Sequence, residues 1–458
     1  HLWYRRQRQM CIRDSFLYRK AEQLFQNNSL TVKESVNNRS LSSDLIQPKE
    51  WQNKDDIIEN TGLDKLSAPI NQTLDEKQYQ LEVKLKEAGT HIFSGDNKYV
   101  EVIPGKSELK WSIPNSRWQQ TVDNPLYNQI QHMGIVELML FVDEKTNYLN
   151  AFTHIATTKQ KSSVDKEDLV ACILANGTNY GLYKMANISD RSMGKLRSVN
   201  DSYIRYETLK ESNDQISNAI AILPIFAYYH IDDNQLFSSI DGQKFECRIN
   251  TFKARYSSKY FAKGKGVSAL TLVSNHVPVN TQVIGANEYE GHFAFDLLYN
   301  NTSEIQPNTL STDNHGTNNV NFAILDFFGY TFAPRYAKMK RVFFDLFEVT
   351  EEEGGRIQLK KDVNYKLVAE EWENIQHILC SLSQKTTTQS TIIRKLSNGK
   401  SRTLSALHEY DRLIKAIYVL EYVDSSTLRH YVQQALNRGE AYHPVSYTHL
   451  RAHETCHN

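Results

Sequence analysis

Long apolar runs are missing from this 458-residue chain. The longest, Ala219 to Tyr229, holds 11 residues and includes Pro224, against the roughly 20 needed to cross a bilayer, so a helical membrane span is excluded. Cysteine is scarce: there are five, none in a Cys-x-x-Cys pair. That excludes a disulfide framework and a zinc ribbon and favours a reducing, cytoplasmic setting. An excess of either charge is also absent, with 53 Lys+Arg against 53 Asp+Glu. What is present, 40% hydrophobic and 11% aromatic residues, is the composition of an ordinary globular protein of roughly two or three domains and rules out a long disordered chain.

The ends are set aside from the fold argument. Arg5–Asp14 (RRQRQMCIRD) and Val445–Thr455 (VSYTHLRAHET) read as in-frame translations of paired adaptors used to prepare sequencing libraries. Residues 1–15 and 444–458 are therefore taken as adaptor-derived, and 16–443 as a piece of a longer gene product. Without Arg5, Arg6, Arg8, Arg13, Arg451, Asp14 and Glu454 the balance becomes 48 basic to 51 acidic residues, a net charge of -3. Cys172, Cys247 and Cys380 are then the only native thiols.

Residues 16–74, rich in Asn, Ser, Gln and Lys, are expected to be poorly ordered or linker-like and to supply little core. From 75 to 230 apolar residues recur at helical spacing, clearest in Ile135–Phe141, Asp168–Met185 and Ile204–Tyr229, which predicts a mainly helical domain. At Phe237 the period changes. Phe245, Cys247 and Ile249 alternate with Lys244, Glu246 and Arg248, a half-buried strand in which Cys247 is a small buried residue. Val267–Val273 and Val277–Ile284 read as two more strands joined at Asn275-His276. Then come a helix over Glu288–Tyr299, a strand over Thr309–Asp313, a helix over Asn319–Phe328 and a strand over Thr331–Tyr336. Three strands followed by helix, strand, helix, strand is the order of an α/β, RNase H-like domain over 231–336, a mixed five-stranded sheet with helices. Residues 337–423, with the acidic turn Glu351–Gly355, read as a helical insertion, and 424–443 as a helix that closes the core.

That closing helix places Leu428, Val432, Leu436 and Glu440 at successive i+4 steps, which puts a carboxylate on an apolar face. Such a group is costly unless it is paired or binds a cation. Asp241 shares the parity of Phe245, and Asp313 ends the fourth strand. In an RNase H-like sheet the first and fourth strands are neighbours, so Asp241, Asp313 and Glu440 would converge. Their hard oxygens suit two Mg²⁺ ions about 4 Å apart acting on a phosphodiester, with Mn²⁺ as the alternative ion. A strand-end Asp or helix-end Glu is on its own a common cap or surface residue.

Charge placement points to the polymer. From Cys247 to Asn287 there is no Asp or Glu, while Arg248, Lys253, Arg255, Lys259, Lys263 and Lys265 are interleaved with Phe252, Tyr256, Tyr260 and Phe261. Cations neutralise phosphates and aromatics stack on unpaired bases, so this stretch reads as a DNA contact surface, the alternative being a solvated face. A second basic cluster is Arg335, Lys338, Lys340 and Arg341. Weaker candidates are Glu288, His292 and Asp296, a metal face or more simply a solvent-facing stripe, and His315, which would touch phosphate or serve the turn.

The runs SSIDGQKF from Ser238, ARYSSKYFAKGKGVSALTLVSNHVPVN from Ala254, LLYNNTSEIQPNTLSTDNHGTNNVNFAILDFFGYTFAPRYA from Leu297 and ALNRGEAYH from Ala435 resemble the DDE transposases of the Tn3 family, from about Glu137 to His443. The resemblance implies that Asp241, Asp313 and Glu440 are catalytic and hold Mg²⁺, with spacings of 72 and 127 residues that leave room for the family's helical insertion. It implies DNA cleavage at transposon 3′ ends and strand transfer, replicative transposition, inverted-repeat and target DNA as partners, a homodimer on DNA, and a bacterial cytoplasmic, nucleoid-associated location. Ile240 departs from the small polar residue usual before the first Asp, and the family's amino-terminal, end-binding region is largely absent. A catalytically inactive DNA-binding remnant or scaffold and an RNase H-type nuclease are the competing readings.

Overall fold

The computed structural model describes residues 2–26, 29–35, 38–103, 109–112, 129, 133–156, 164–249, 251–313, 316–350, 356–397 and 401–448. His315 and the turn Glu351–Gly355 lie outside them. The frame of the chain runs α1 (Ile70–Ser94), α2 (Tyr206–Ala221), β1 (Phe237–Glu246), β2 (Lys265–Ser274), β3 (Val277–Gly285), β4 (Thr309–Thr312), α3 (Asn321–Phe327), β5 (Thr331–Phe332), α4 (Gln389–Leu396), α5 (Arg402–Asp424) and α6 (Ser426–Thr448). The chain folds into two compact units: the first comprises 1–115, 289–296 and 313–430, the second 116–288, 297–312 and 431–458.

The second unit holds the sheet. β1 pairs antiparallel with β2 and parallel with β4, and β2 pairs antiparallel with β3. Numbered by chain order, the strands lie 3-2-1-4, a mixed sheet of the kind expected. A two-residue strand, Arg255–Tyr256, pairs with the first two residues of β2, Lys265 and Gly266. Asn275 and His276 turn the chain between β2 and β3 with φ of 45° and 69°, the positive values that a two-residue hairpin requires. α2 packs on β3, with Asn213 Nδ2 donating to the Pro278 carbonyl at 2.9 Å and the Tyr206 hydroxyl to the Thr281 carbonyl at 3.2 Å. Behind it the helices Lys166–Gly177 and Met193–Tyr203 bury Leu169, Cys172, Ala175 and Leu196 in a separate apolar cluster.

The first unit is built on α5, which buries Ala406, Leu407, Tyr410, Leu413, Ala416, Val419 and Leu420 along its length. Tyr410 stacks on Phe327 of α3 with ring centroids 4.2 Å apart. Asp411, fully buried, accepts the Ala323 amide at 3.3 Å, and burial pushes its carboxyl up to about 7.

Three expectations change. Residues 41–74 are not core-poor: Ile46 and Leu66 are each 1% exposed. Their few apolar side chains are spent inward, which a composition average cannot show. The helical stretch expected over 75–230 is divided, because α1 belongs to the first unit and a short hairpin, Val100–Val102 with Leu109–Trp111, follows it. The insertion is not wholly helical, since Phe347–Thr350 and Arg356–Leu359 form an antiparallel hairpin. The expected terminal segments continue regular structure, Leu2–Gln26 and α6 up to Thr448 both being helical.

The 16–74 stretch is also tied down by charge. Lys395, 2% exposed, pairs with Asp44 and donates to the Arg39 carbonyl at 2.8 Å. Removing one partner strands a buried charge, so Asp44→Ala should cost about 3–5 kcal/mol. Urea unfolding at constant m checks this, and a loss below about 1 kcal/mol would show that the pair is replaceable.

Candidate nucleic-acid and metal site

Pairing in the second unit decides which side chains share a face. In the parallel ladder of β1 and β4 the register is Phe237 with Thr309, Ser238 with Leu310, Ser239 with Ser311 and Ile240 with Thr312. Side chains alternate along a strand, so Ser239 and Asp241 lie on one face of β1, and Ser311, opposite Ser239, lies on that face of β4. Asp313 follows Thr312 by one peptide bond and begins a segment of the first unit. The Asp241 carboxylate is half-buried and accepts the Gly242 amide at 2.8 Å. Asp313 Oδ1 accepts the Gly316 amide at 3.2 Å.

α6 covers the Asp241 face. At Gly439, which is buried, a Cβ would overlap Ser239 Oγ, so the helix backbone lies directly on β1. Two further contacts set its position. Tyr431 meets Phe237 edge-on at 5.8 Å, and Arg438 Nη1 donates to Asn275 Oδ1 at 2.8 Å. Arg438 is only 9% exposed and lies 6.0 Å from the Tyr229 ring. Burial lowers the pKa of its guanidinium, and burial followed by the Arg438 charge lowers that of His276 in the adjacent turn.

Glu440 follows Gly439, but it is exposed, whereas Val432 and Leu436 are buried. The expectation of a carboxylate on the apolar face is corrected by helix geometry. Each i+4 step advances about 40° beyond a full turn, so the stripe that begins at Leu428 has rotated towards solvent by Glu440. Parity also fails past the strand: β1 ends at Glu246, Cys247 is half-buried and Ile249 is 80% exposed.

Among the described residues the buried Ser239 Oγ and Ser311 Oγ have no hydrogen-bond partner. Leaving such groups unpaired costs about 1–3 kcal/mol each, and Thr312 Oγ1, of the opposite parity on β4, is unpaired as well. Carboxylate and hydroxyl oxygens, with no thiol or imidazole among them, are the donors a hard divalent cation takes. Among the described residues no group of three His, Cys, Asp or Glu side chains is gathered closely enough to hold a metal ion.

The acid-free segment is exposed throughout its cations: Arg248, Lys253, Arg255, Lys259, Lys263 and Lys265 all face solvent. Phe252 is 88% exposed and Tyr256 54%. Arg255 Nη1 donates to the Phe252 and Ala254 carbonyls at 2.8 and 3.1 Å, and Lys253 Nζ to the Val283 carbonyl at 2.8 Å. Lys244 and Lys259 lie over the Tyr260 ring at 5.0 and 4.8 Å. The cations thus brace the loop that presents the aromatics. In the second cluster Lys338, Lys340 and Arg341 are exposed and Arg335 half-buried.

Glu288, His292 and Asp296 form neither a metal face nor a solvent stripe. A 3-10 turn, Glu290–Phe293, interrupts the helical period, and Asp296 is 4% exposed with its carboxyl pushed up to about 7 by burial, opposed by the Gln389 and Ser390 amides. The sequence reading assigned no role to Arg438, Gly439 or Ser239. Gly439 carried the one available signal, since a glycine inside a helix costs about 1 kcal/mol and asks for a close neighbour.

The chain matches the family model described as the Tn3 transposase DDE domain over residues 137–451. It is 24% identical over 417 residues to the transposase for transposon gamma-delta of Escherichia coli (strain K12), covering 88% of this chain and 41% of that protein. It is 27% identical over 373 residues to the Escherichia coli transposase for transposon Tn2501, covering 78% and 36%. The transposase for transposon Tn1546 of Enterococcus faecium is 25% identical over 325 residues, covering 69% and 32%. The chain thus spans well under half the length of these relatives.

The close approach at Gly439 has a testable consequence. Alanine there should cost about 1–3 kcal/mol through overpacking, although alanine is the better helix former. Combined with Ser239→Ala, which removes the hydroxyl, the cost should vanish. A double-mutant cycle by chemical denaturation with no coupling between the two sites would show that the helix does not rest on the serine.

Proposed function

The chain belongs to the Tn3 transposase family, and from that premise we propose that it is the catalytic part of a DNA transposase that cuts transposon 3′ ends and transfers them to target DNA. The docking of α6 over the β1 face that carries Asp241 supports this reading most directly. It brings the element bearing Glu440 to the strand bearing the first Asp, and β4, whose Thr312 precedes Asp313, runs beside that strand in register.

In this reading Asp241, Asp313 and Glu440 are the catalytic carboxylates and the metal ligands. Two bound Mg²⁺ ions, or Mn²⁺, would activate a water or 3′-hydroxyl and stabilise the leaving oxygen of the phosphodiester. The chain's own part is to supply negative charge at fixed points on a rigid strand and helix. Arg248, Lys253, Arg255, Lys259, Lys263 and Lys265 hold the DNA backbone, and the neighbouring aromatics stack on bases freed from the duplex. Inverted-repeat DNA and target DNA are the partners, bound by a homodimer, and transposition is replicative. Among the described residues no helix is long and apolar enough to cross a membrane, and the bacterial nucleoid is the place where such substrates lie.

One competing reading has an observation on its side: among the described residues the carboxylates are not gathered into a three-residue cage, as in a remnant that binds DNA without cutting it. Catalysis separates the two. In the full-length protein carrying this region, Asp241→Asn, Asp313→Asn and Glu440→Gln should each abolish end cleavage and strand transfer while inverted-repeat binding stays near wild type. Residues acting as one unit lose function non-additively, so a double variant should be no worse than a single one. Near-normal cleavage by one variant removes that residue from the set, and for Glu440 the next residue to test is Glu421. A wild-type protein that binds but never cuts favours the remnant.

Binding supplies a separate measurement. Replacing Lys253, Arg255, Lys259 and Lys263 together with Ala should weaken DNA binding and flatten the slope of log K against log salt by about 0.9 for each phosphate no longer neutralised. An unchanged slope places the DNA path elsewhere.

A further inference from the structure

A chain of buried amides in the first unit leads from the insertion to the loop that follows Asp313. Gln389, the first residue of α4, is fully buried, and its backbone amide, Oε1 and Nε2 each make a hydrogen bond. Its backbone amide donates to Asp296 Oδ1 at 3.1 Å, its Oε1 accepts the Phe295 amide at 2.9 Å, and its Nε2 donates to Asn321 Oδ1. Asn321, also fully buried, turns its Nδ2 to the carbonyls of Gly291 and Gly316, both at 3.1 Å. The orientations are forced. Two carbonyls demand the NH₂ of Asn321, which leaves its oxygen for Gln389 and obliges Gln389 to donate. Gly316 in turn gives its amide to the carbonyl of Asp313 at 3.1 Å and to Oδ1 at 3.2 Å. Gly316 is closely approached on its other side: a Cβ on Gly291 would lie 2.8 Å from the Gly316 carbonyl oxygen, and Asn318 Nδ2 adds a 2.8 Å bond to the Gly291 carbonyl.

We propose that Gln389 and Asn321 are positioning residues for Asp313, and that through them helix α4 of the insertion fixes the backbone on which the second carboxylate is presented. Packing alone does not require two fully buried side-chain amides here. Apolar residues of the same volume would fill the space without the cost of a network that must be completely satisfied. The insertion is then a support that aims one carboxylate, in addition to whatever surface it offers DNA. The inference rests on Asp313 being a metal ligand, and its test keeps the two apart.

Gln389→Leu removes both polar ends of the side chain at nearly constant volume. By hydrogen–deuterium exchange on the purified protein, the Gly316, Val320 and Asn321 amides should exchange at least tenfold faster, while the β1–β2 ladder stays protected. In the full-length protein, the Mg²⁺ or Mn²⁺ concentration for half-maximal end cleavage should rise about tenfold with inverted-repeat binding unchanged. A role in stability alone predicts neither the local pattern nor the metal shift. If Gln389→Leu does not fold, Gln389→Asn keeps the amide but draws it back by one methylene, and the same readouts apply. Unchanged exchange at 316–321, or faster exchange spread evenly over the unit, overturns the proposal. So does a local exchange change with no shift in metal requirement in an active protein. A local exchange change in a protein that never cuts DNA upholds the support of the Asp313 loop and overturns the transposase reading instead.

Discussion

The direct approach of the α6 backbone to β1 at Gly439 and Ser239 is the constraint on which the candidate site depends. A helix normally stands off a sheet by the length of its side chains. Here one position has no side chain, and the helix settles onto a serine hydroxyl. The Tyr431–Phe237 contact and the Arg438–Asn275 bond hold it at two further points. Glu440 can therefore be exposed and yet be carried on a segment whose position over the strand is closely defined.

Buried charge is met in two ways. In the first unit, buried acids meet cations or amides. Burial alone would raise the pKa of Asp326, but Lys77 at 3.1 Å and Lys65 at 2.9 Å hold it below the usual range, with the Tyr410 hydroxyl donating at 2.8 Å. Lys395 meets Asp44. Arg438 in the second unit is held instead by an amide oxygen and an aromatic face, which fix its geometry without neutralising it.

The basic segment shows how a neutral protein can present a charged surface. Its cations are exposed and its acids are simply absent over Cys247–Asn287. Arg255 and Lys253 use part of their hydrogen-bonding capacity on local carbonyls. This reduces the freedom of a loop that carries an almost wholly exposed Phe252.

Much of the sheet was legible because strand pairing follows local signals: the apolar runs Val267–Val273 and Val277–Ile284, the Asn275-His276 turn and the spacing of the later elements predict strands that form at 265–274, 277–285 and 309–312, whereas the alternation of Phe245, Cys247 and Ile249 runs past β1, which ends at Glu246. The Tn3 family was legible too, since its motifs are contiguous runs. Side-chain burial was not. Glu440 looked buried because a four-residue step imitates a straight stripe, while the real helix turns about 40° further each time. Ile46 and Leu66 looked like linker residues because composition averages over position. The amide chain from Asp296 through Gln389 and Asn321 to Gly316 joins residues far apart in sequence, none of them unusual where it stands. By itself, then, the sequence determined the elements, the acid-free surface and the family, all of which depend on neighbours along the chain. Only the tertiary structure decided which polar groups are buried together and how closely a helix lies on a strand, because those depend on neighbours that only folding supplies.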